Sequence, residues 1–186
     1  MVVLIAAIGI SGSGKTTTLE YLISKLTKEG FKVGAIKHIH RENFTIDREG
    51  TNTWRFSKAG SKVTVAISPE EIATIEKTNA ALSDLDRVIK ELENKQLDIV
   101  FIEGFHGFIS KRPDILKIVT AKTLEDLNKT LSESVPPVLA ITGLIAKNEL
   151  PPSEVPYINL PDEGPKLLKL VKERLMSLKN SNRQEN

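Results

Sequence analysis

The sequence begins with an apolar run that leads directly into a glycine-rich loop. Residues 2–8 are apolar, and residues 9–16 read Gly-Ile-Ser-Gly-Ser-Gly-Lys-Thr. This pattern predicts a buried strand that ends at Gly9 and a helix that begins at about Lys15. Glycines permit backbone conformations and close approaches that a Cβ atom would prevent. The order of strand, loop and helix therefore predicts a binding site for the phosphates of a nucleotide.

The chemistry of such a loop assigns roles to its residues. Successive backbone N–H groups and the positive end of the helix dipole would bind the phosphate anion. Lys15 is expected to reach the β- and γ-phosphates, and the Thr16 hydroxyl is expected to bind Mg²⁺. The residues predicted to contact the nucleotide here are Gly9, Gly12, Ser13, Gly14, Lys15, Thr16 and Thr17. A magnesium-bound nucleoside triphosphate is the ligand that this segment predicts.

Composition narrows the class of protein further. The 26 basic and 24 acidic residues leave a net charge of +2, so no strong field favours nucleic acid as a partner. The sequence contains no cysteine, which excludes disulfides and thiolate metal sites and agrees with a cytoplasmic location. The first apolar run is too short to cross a bilayer and enters a glycine loop instead of a cleavage site. We expect a cytoplasmic protein that does not bind membranes.

Alternating strand and helix patterns predict an α/β fold of the P-loop NTPase type, with three layers and a mostly parallel sheet. β-Branched residues at 62–67 and 72–76 flank Ser68-Pro69 and predict an antiparallel hairpin at the sheet edge. An amphipathic helix is predicted from Leu82, Leu85, Val88, Ile89 and Leu92. We expect one nucleotide-binding domain over residues 1–178 and a flexible tail over residues 179–186.

Magnesium at a phosphate-binding loop needs a second acidic contact from the end of a neighbouring strand. The apolar residues 97–102 close with Glu103. Ligands bind beyond the carboxyl ends of parallel strands, so Glu103 is correctly positioned for a metal-binding and catalytic role, whereas Asp98 is not. The alternative for Glu103 is a solvent-exposed acid at a strand end. Asp98 is interpreted as a turn residue where the strand begins.

Further candidates follow the second strand. If that strand continues, His38 and His40 share one face and could bind a metal, bond to a phosphate or line a loop. Asp47 is a candidate for the magnesium shell, for positioning a catalytic water, or for a simple Asx-turn. Arg55 could contact a phosphate or occupy a solvated helix position. These alternatives stay open at the level of sequence.

Taken together, the motifs resemble the MobB family, the molybdopterin-guanine dinucleotide biosynthesis protein B. The matching elements are residues 9–17, Lys37-His38-x-His40, Phe44-x-x-Asp47-x-x-Gly50, Trp54-Arg55, Ala59-Gly60 and Glu103-Gly104-Phe105. They extend from the first strand to about residue 120. Two segments depart from the family pattern. Thr51-Asn52-Thr53 replaces the usual Lys-Asp-Ser/Thr, and His106 stands where the family often has lysine.

The resemblance implies a GTP-binding homodimer with at most slow GTPase activity. It implies an accessory role beside a MobA-type guanylyltransferase, which attaches GMP to molybdopterin in molybdenum or tungsten cofactor biosynthesis. Guanine specificity enters only through this resemblance. Slow hydrolysis also agrees with the absence of an evident arginine finger from the sequence. The alternative functions are a P-loop small-molecule kinase and, on account of the three histidines, a metal-insertion GTPase.

Overall fold

The computed structural model describes residues 2–41, 43–78, 84–148 and 150–184. Leu82, which belongs to the predicted amphipathic helix, lies outside these residues. The chain forms two compact units, the first from Met1–His38 with Leu85–Asn186 and the second from Ile39–Asp84. The single domain expected from the sequence stays a prediction, as does the flexible tail.

The elements are numbered here in chain order. The strands are β1 (Val3–Ile8), β2 (Val33–Lys37), β3 (Val63–Ile67), β4 (Ile72–Glu76), β5 (Ile99–Glu103), β6 (Leu116–Thr120) and β7 (Val138–Thr142). The helices are α1 (Lys15–Lys28), α2 (Asn52–Lys58), α3 (Asp84–Glu93), α4 (His106–Ile109), α5 (Leu124–Ser132) and α6 (Gly164–Gln184), and a short 3₁₀ helix spans Leu144–Lys147.

The first unit contains a five-stranded parallel sheet in the order β2-β5-β1-β6-β7. Its central strands are apolar on both faces, as parallel strands covered on two sides must be. One face carries α1 and α6 through buried residues such as Leu22 and Val171, and the other carries α3 and α5 through Leu85 and Leu127. The predicted three-layer α/β fold with a mostly parallel sheet is therefore confirmed.

The register of the sheet brings three strand ends together. Glu103 at the end of β5 pairs with Ala7 of β1 on one side and with Lys37 of β2 on the other. The segment that follows β1 is the glycine-rich loop. This edge of the sheet therefore collects the loop, Glu103 and Lys37 in one place.

Helices around the sheet follow from local sequence. α1 buries Leu19, Leu22 and Leu26, which share one face at helical spacing, and the chain turns after it at Gly30 with φ +88°. α5 begins with a capping box in which Thr123 and Asp126 satisfy each other's backbone N–H groups. Among the described residues, no helix combines the length and apolarity needed to cross a membrane.

The second unit contains α2 and an antiparallel hairpin of β3 and β4. The hairpin turns at residues 68–71, where the Ser68 hydroxyl accepts a hydrogen bond of 3.0 Å from the Glu71 N–H. Its register pairs Val65 with Thr74 and Ile67 with Ile72. The predicted antiparallel hairpin is thus confirmed, but its predicted place at the edge of the parallel sheet is wrong. Among the described residues its strands pair only with each other and form a separate two-stranded sheet.

Candidate functional site

The glycine-rich loop packs tightly against the end of β6. Gly9, Gly12 and Gly14 have φ angles of +144°, +69° and +106°, which side chains of L-residues rarely tolerate. A Cβ atom on Gly9 would lie 2.0 Å from the carbonyl oxygen of Thr120. Glycine at position 9 is therefore required by both its conformation and its neighbour.

Buried hydroxyl groups hold the loop in shape. The Ser13 hydroxyl donates to the carbonyl of Ile10 at 2.8 Å and lies 2.6 Å from the Thr120 hydroxyl. Ser13 and Thr120 are fully buried. The side chain of Ser13 thus organises the loop from within, so only its backbone is available for the predicted nucleotide contact.

The amino end of α1 is open to an anion. Gly14 precedes the helix, and no side chain caps the first N–H groups. Uncapped N–H groups and the helix dipole together favour a negatively charged ligand. Thr16 and Thr17 lie in this first turn with exposed side chains. This end of α1 can hold a phosphate group.

Lys15 extends over the loop to its first residues. Its ammonium group donates to the carbonyl oxygens of Gly9, at 2.9 Å, and Ile10, at 2.6 Å. Burial is the main cause that lowers the pKa of Lys15. The charge of Glu103 raises the pKa, and the charges of Lys37 and Lys122 lower it further. A phosphate at this place would offer the ammonium a charged acceptor instead of two neutral carbonyls.

Glu103 lies directly beside the first turn of α1. The Thr16 hydroxyl is 3.1 Å and 2.9 Å from the two carboxylate oxygens of Glu103, to which it can donate. Glu103 is 8% exposed, so the alternative of a solvent-exposed acid is wrong. A hydroxyl and a carboxylate are the hard oxygen ligands that Mg²⁺ prefers. The pair therefore fits a magnesium ion, with Thr16 and Glu103 as the residues that would hold it.

Lys37 is a site residue to which the sequence alone gave no role. Its ammonium group forms an ion pair with the Oε1 atom of Glu103. The pairing follows from the register of β2 and β5, which places the two residues opposite each other. Its signals in the sequence were its place at the end of the second strand and in the family-like motif Lys37-His38-x-His40.

The Glu103-Gly104-Phe105 motif packs against His38, the residue that follows β2. The His38 ring stacks on Phe105 with the ring centroids 4.0 Å apart. A Cβ atom on Gly104 would lie 2.6 Å from the Cβ atom of His38, which explains the glycine. β2 ends at Lys37, so the strand alternation expected to place His38 and His40 on one face does not apply.

A small cavity adjoins the first residues of the loop. It has a volume of about 260 Å³ and is lined by Gly9, Ile10, His106, Lys129, Thr130 and Glu133. The Nε2 atom of His106 lies 3.3 Å from a carboxylate oxygen of Glu133. His106 begins α4, a helix of four residues that was too short to predict. The cavity can admit a small second ligand beside the loop.

Asp47 and Arg55 lie in the second unit. One carboxylate oxygen of Asp47 accepts hydrogen bonds from the hydroxyls of Thr51, at 3.0 Å, and Thr53, at 2.8 Å. Its other oxygen is buried and has no hydrogen-bond partner among the described residues. Of these two donors, Thr51 stands where the family usually has lysine, whereas Thr53 matches the family pattern. Arg55 is exposed on α2.

A family model places the chain among known proteins. The model for MobB, described as molybdopterin guanine dinucleotide synthesis protein B, matches residues 3–142. The chain belongs to the MobB family. The resemblance expected from the sequence is thereby confirmed.

Named relatives of this MobB-family chain are adapter proteins. The molybdopterin-guanine dinucleotide biosynthesis adapter protein of Haemophilus influenzae is 36% identical over 74% of this chain and 72% of its own length. The Escherichia coli protein of the same name is 33% identical over 64% of this chain, which spans 65% of that relative. The crystal structure of Bacillus subtilis MobB superposes with a TM-score of 0.72 at 25% identity, covering 91% of this chain and 96% of that one.

Gly143 provides a test of how the loop is supported. A Cβ atom there would lie 2.3 Å from the Ser13 carbonyl oxygen, whereas one on Gly30 would meet nothing within 4 Å. Both glycines have positive φ, at +97° and +88°. We expect Gly143→Ala to lower the free energy of unfolding by about 1–3 kcal/mol more than Gly30→Ala, because it adds a clash with the Ser13 carbonyl to the strain that a positive φ imposes at both positions. Urea unfolding of both variants measures the difference, and equal losses would contradict the close support of the loop.

Proposed function

We propose that this protein is a GTP-binding adapter in molybdenum or tungsten cofactor biosynthesis. It assists a MobA-type guanylyltransferase in attaching GMP to molybdopterin, and it hydrolyses GTP slowly. Membership of the MobB family and the adapter names of the relatives support the pathway. Guanine and molybdopterin as ligands rest on the same family membership.

The observation that carries nucleotide binding is the contact between Thr16 and Glu103 beside Lys15. It combines a metal-binding hydroxyl, a buried carboxylate and a lysine at the open end of a helix. The loop N–H groups would hold the phosphates, and Lys15 would bind the terminal ones. Mg²⁺ at Thr16 and Glu103 would neutralise charge on the phosphates. Asp47, His38 and Arg55 remain proposed contributors to metal, phosphate or water binding.

Lys15 provides the direct test of nucleotide binding. Lys15→Ala removes the ammonium that would bind the terminal phosphates, so we expect the Kd for GTP to rise at least about thirtyfold, equivalent to about 2 kcal/mol. Isothermal titration calorimetry with GTP and Mg²⁺ measures this value.

Lys28→Ala is the matched control for this test. Lys28 ends the same helix, 14 residues long, and lies roughly 20 Å from Lys15 at about 1.5 Å per residue. Its removal should leave the Kd unchanged. Unaltered GTP affinity in a folded Lys15→Ala protein would refute the phosphate-binding assignment.

We expect slow turnover because, among the described residues, the charged groups that act on Lys15 are Glu103, Lys37 and Lys122, and none of them is an arginine. Arg112 of the first unit is held by Asp86 and Asp114, with distances of 2.7 Å to each, and cannot serve the phosphates without leaving them. An arginine finger contributes factors of about 10³–10⁵ in such reactions. We therefore expect the purified protein to hydrolyse GTP more slowly than about 1 s⁻¹, measured as release of inorganic phosphate.

The same assay separates the GTPase from a small-molecule kinase. The cavity beside Gly9 and Ile10 favours the kinase as a second candidate, because an acceptor could bind there. γ-Phosphate label that appears on a metabolite would support the kinase, and label released only as inorganic phosphate would count against it. No group of three metal-ligating side chains occurs among the described residues, so no observation supports the metal-insertion GTPase.

A homodimer is proposed through the hairpin of the second unit. Val63, Val65, Ile67 and Ile72 lie on one face of β3 and β4, and Ile67 and Ile72 are 77% and 70% exposed. A two-stranded sheet alone is marginally stable in water, and its unpaired edges can pair with another chain. A second copy would cover this apolar face.

Ile72→Asp tests the dimer. A charge on the apolar face should raise the dimer dissociation constant at least about a hundredfold. Sedimentation equilibrium measures the constant. Leu124→Asp, an exposed leucine of the first unit, should leave it unchanged. A wild-type protein that sediments as a monomer, or an Ile72→Asp dimer of unchanged strength, would contradict the proposal.

A further inference from the structure

Lys122 brings a second ammonium group over the phosphate-binding loop. Its backbone N–H donates to the carboxylate of Asp126 at 2.8 Å, within the turn that begins α5. Its side chain then reaches Gly12, where a Cβ atom would lie 3.1 Å from the ammonium nitrogen. The backbone of Lys122 is thus held between the end of β6 and the cap of α5. The absence of a side chain at Gly12 leaves room for its ammonium group.

The charges around the loop are unbalanced. Lys15, Lys37 and Lys122 lie near one another, as the influence of the other two on the pKa of Lys15 shows. Among the charges that shift the pKa of Lys15, Glu103 supplies the one carboxylate, and this carboxylate pairs with Lys37. Among the described residues, no carboxylate forms an ion pair with the ammonium of Lys122. Three ammonium groups therefore face one carboxylate, an arrangement that favours a polyanion.

The two lysines at the loop reach different parts of it. Lys15 bonds to Gly9 and Ile10 at the beginning of the loop, whereas Lys122 lies over Gly12, close to the start of α1. In a loop of this type the backbone surrounds the α- and β-phosphates, and the loop lysine reaches the β- and γ-phosphates. We infer that Lys122 is a second phosphate-binding lysine, which holds the α- and β-phosphates of the nucleotide and so binds GDP as firmly as GTP.

This inference rests on the proposed nucleotide-binding function and assigns a distinct role within it. Lys15 distinguishes a triphosphate from a diphosphate because the γ-phosphate is one of its two acceptors. Lys122 makes no such distinction. Its role is to retain the nucleotide whether or not the γ-phosphate is present.

The test compares GTP and GDP binding by calorimetry in the full-length protein with Mg²⁺. Lys122→Gln should raise the Kd for GTP and the Kd for GDP by a similar factor of about ten, since each complex loses one charge-assisted contact. Lys15→Ala should raise the Kd for GTP by a larger factor than the Kd for GDP. Lys122→Arg should restore most of the affinity for both nucleotides. Lys28→Gln, which removes the same charge from the far end of α1, should bind like the wild type.

Each outcome of the test is decisive. If Lys122→Gln binds both nucleotides as the wild type does, or loses affinity for GTP alone, the inference is overturned. The proposed function still holds in either case, provided that the wild type binds GTP. A wild-type protein that binds neither nucleotide would overturn the proposed function together with the inference. The urea midpoint of Lys122→Gln should equal that of the wild type, because the Lys122 side chain is exposed.

Discussion

The carboxylate of Glu103 joins three elements of the sheet edge on which the site depends. It lies at the end of β5, accepts a hydrogen bond from Thr16 of α1 and pairs with Lys37 of β2. The strand order β2-β5-β1 makes these contacts possible, because β5 lies between the other two strands. A carboxylate that is 8% exposed would be costly without such partners. Its burial therefore requires both the lysine and the hydroxyl to be in place.

The loop itself is held from the other side of β1. β6 supplies Thr120, whose carbonyl lies against Gly9 and whose hydroxyl lies against Ser13. Gly143, which directly follows β7, approaches the Ser13 carbonyl. The loop is thus supported by Thr120 and Gly143, while the N–H groups at the start of α1 carry no side-chain cap. Preorganised donors without internal acceptors are suited to bind an anion at little cost in reorganisation.

Local patterns in the sequence predicted much of this arrangement. The apolar run before Gly9, the loop and the buried strand that closes in Glu103 are each contained in a short segment, so their positions could be read directly. Lys37 and Gly143 could not, because their importance depends on which strands are neighbours in the sheet. His106 and Glu133 are 27 residues apart and meet only after α4 and α5 have formed. β2 ends at Lys37, so the condition under which His38 and His40 would share one face of a strand is not met.

The pairing of Glu103 with Lys37 also bears on what the site can do. A carboxylate shared between an ammonium group and a metal ion binds the ion less strongly than a carboxylate that serves the metal alone, since the two cations repel each other. Lys37 would therefore weaken the hold on a bound Mg²⁺, while its ion pair orients the Glu103 carboxylate. Together with Lys15, it raises the local positive charge that attracts phosphates. In the proposed function, this balance would favour binding of the nucleotide over rapid cleavage of its terminal phosphate.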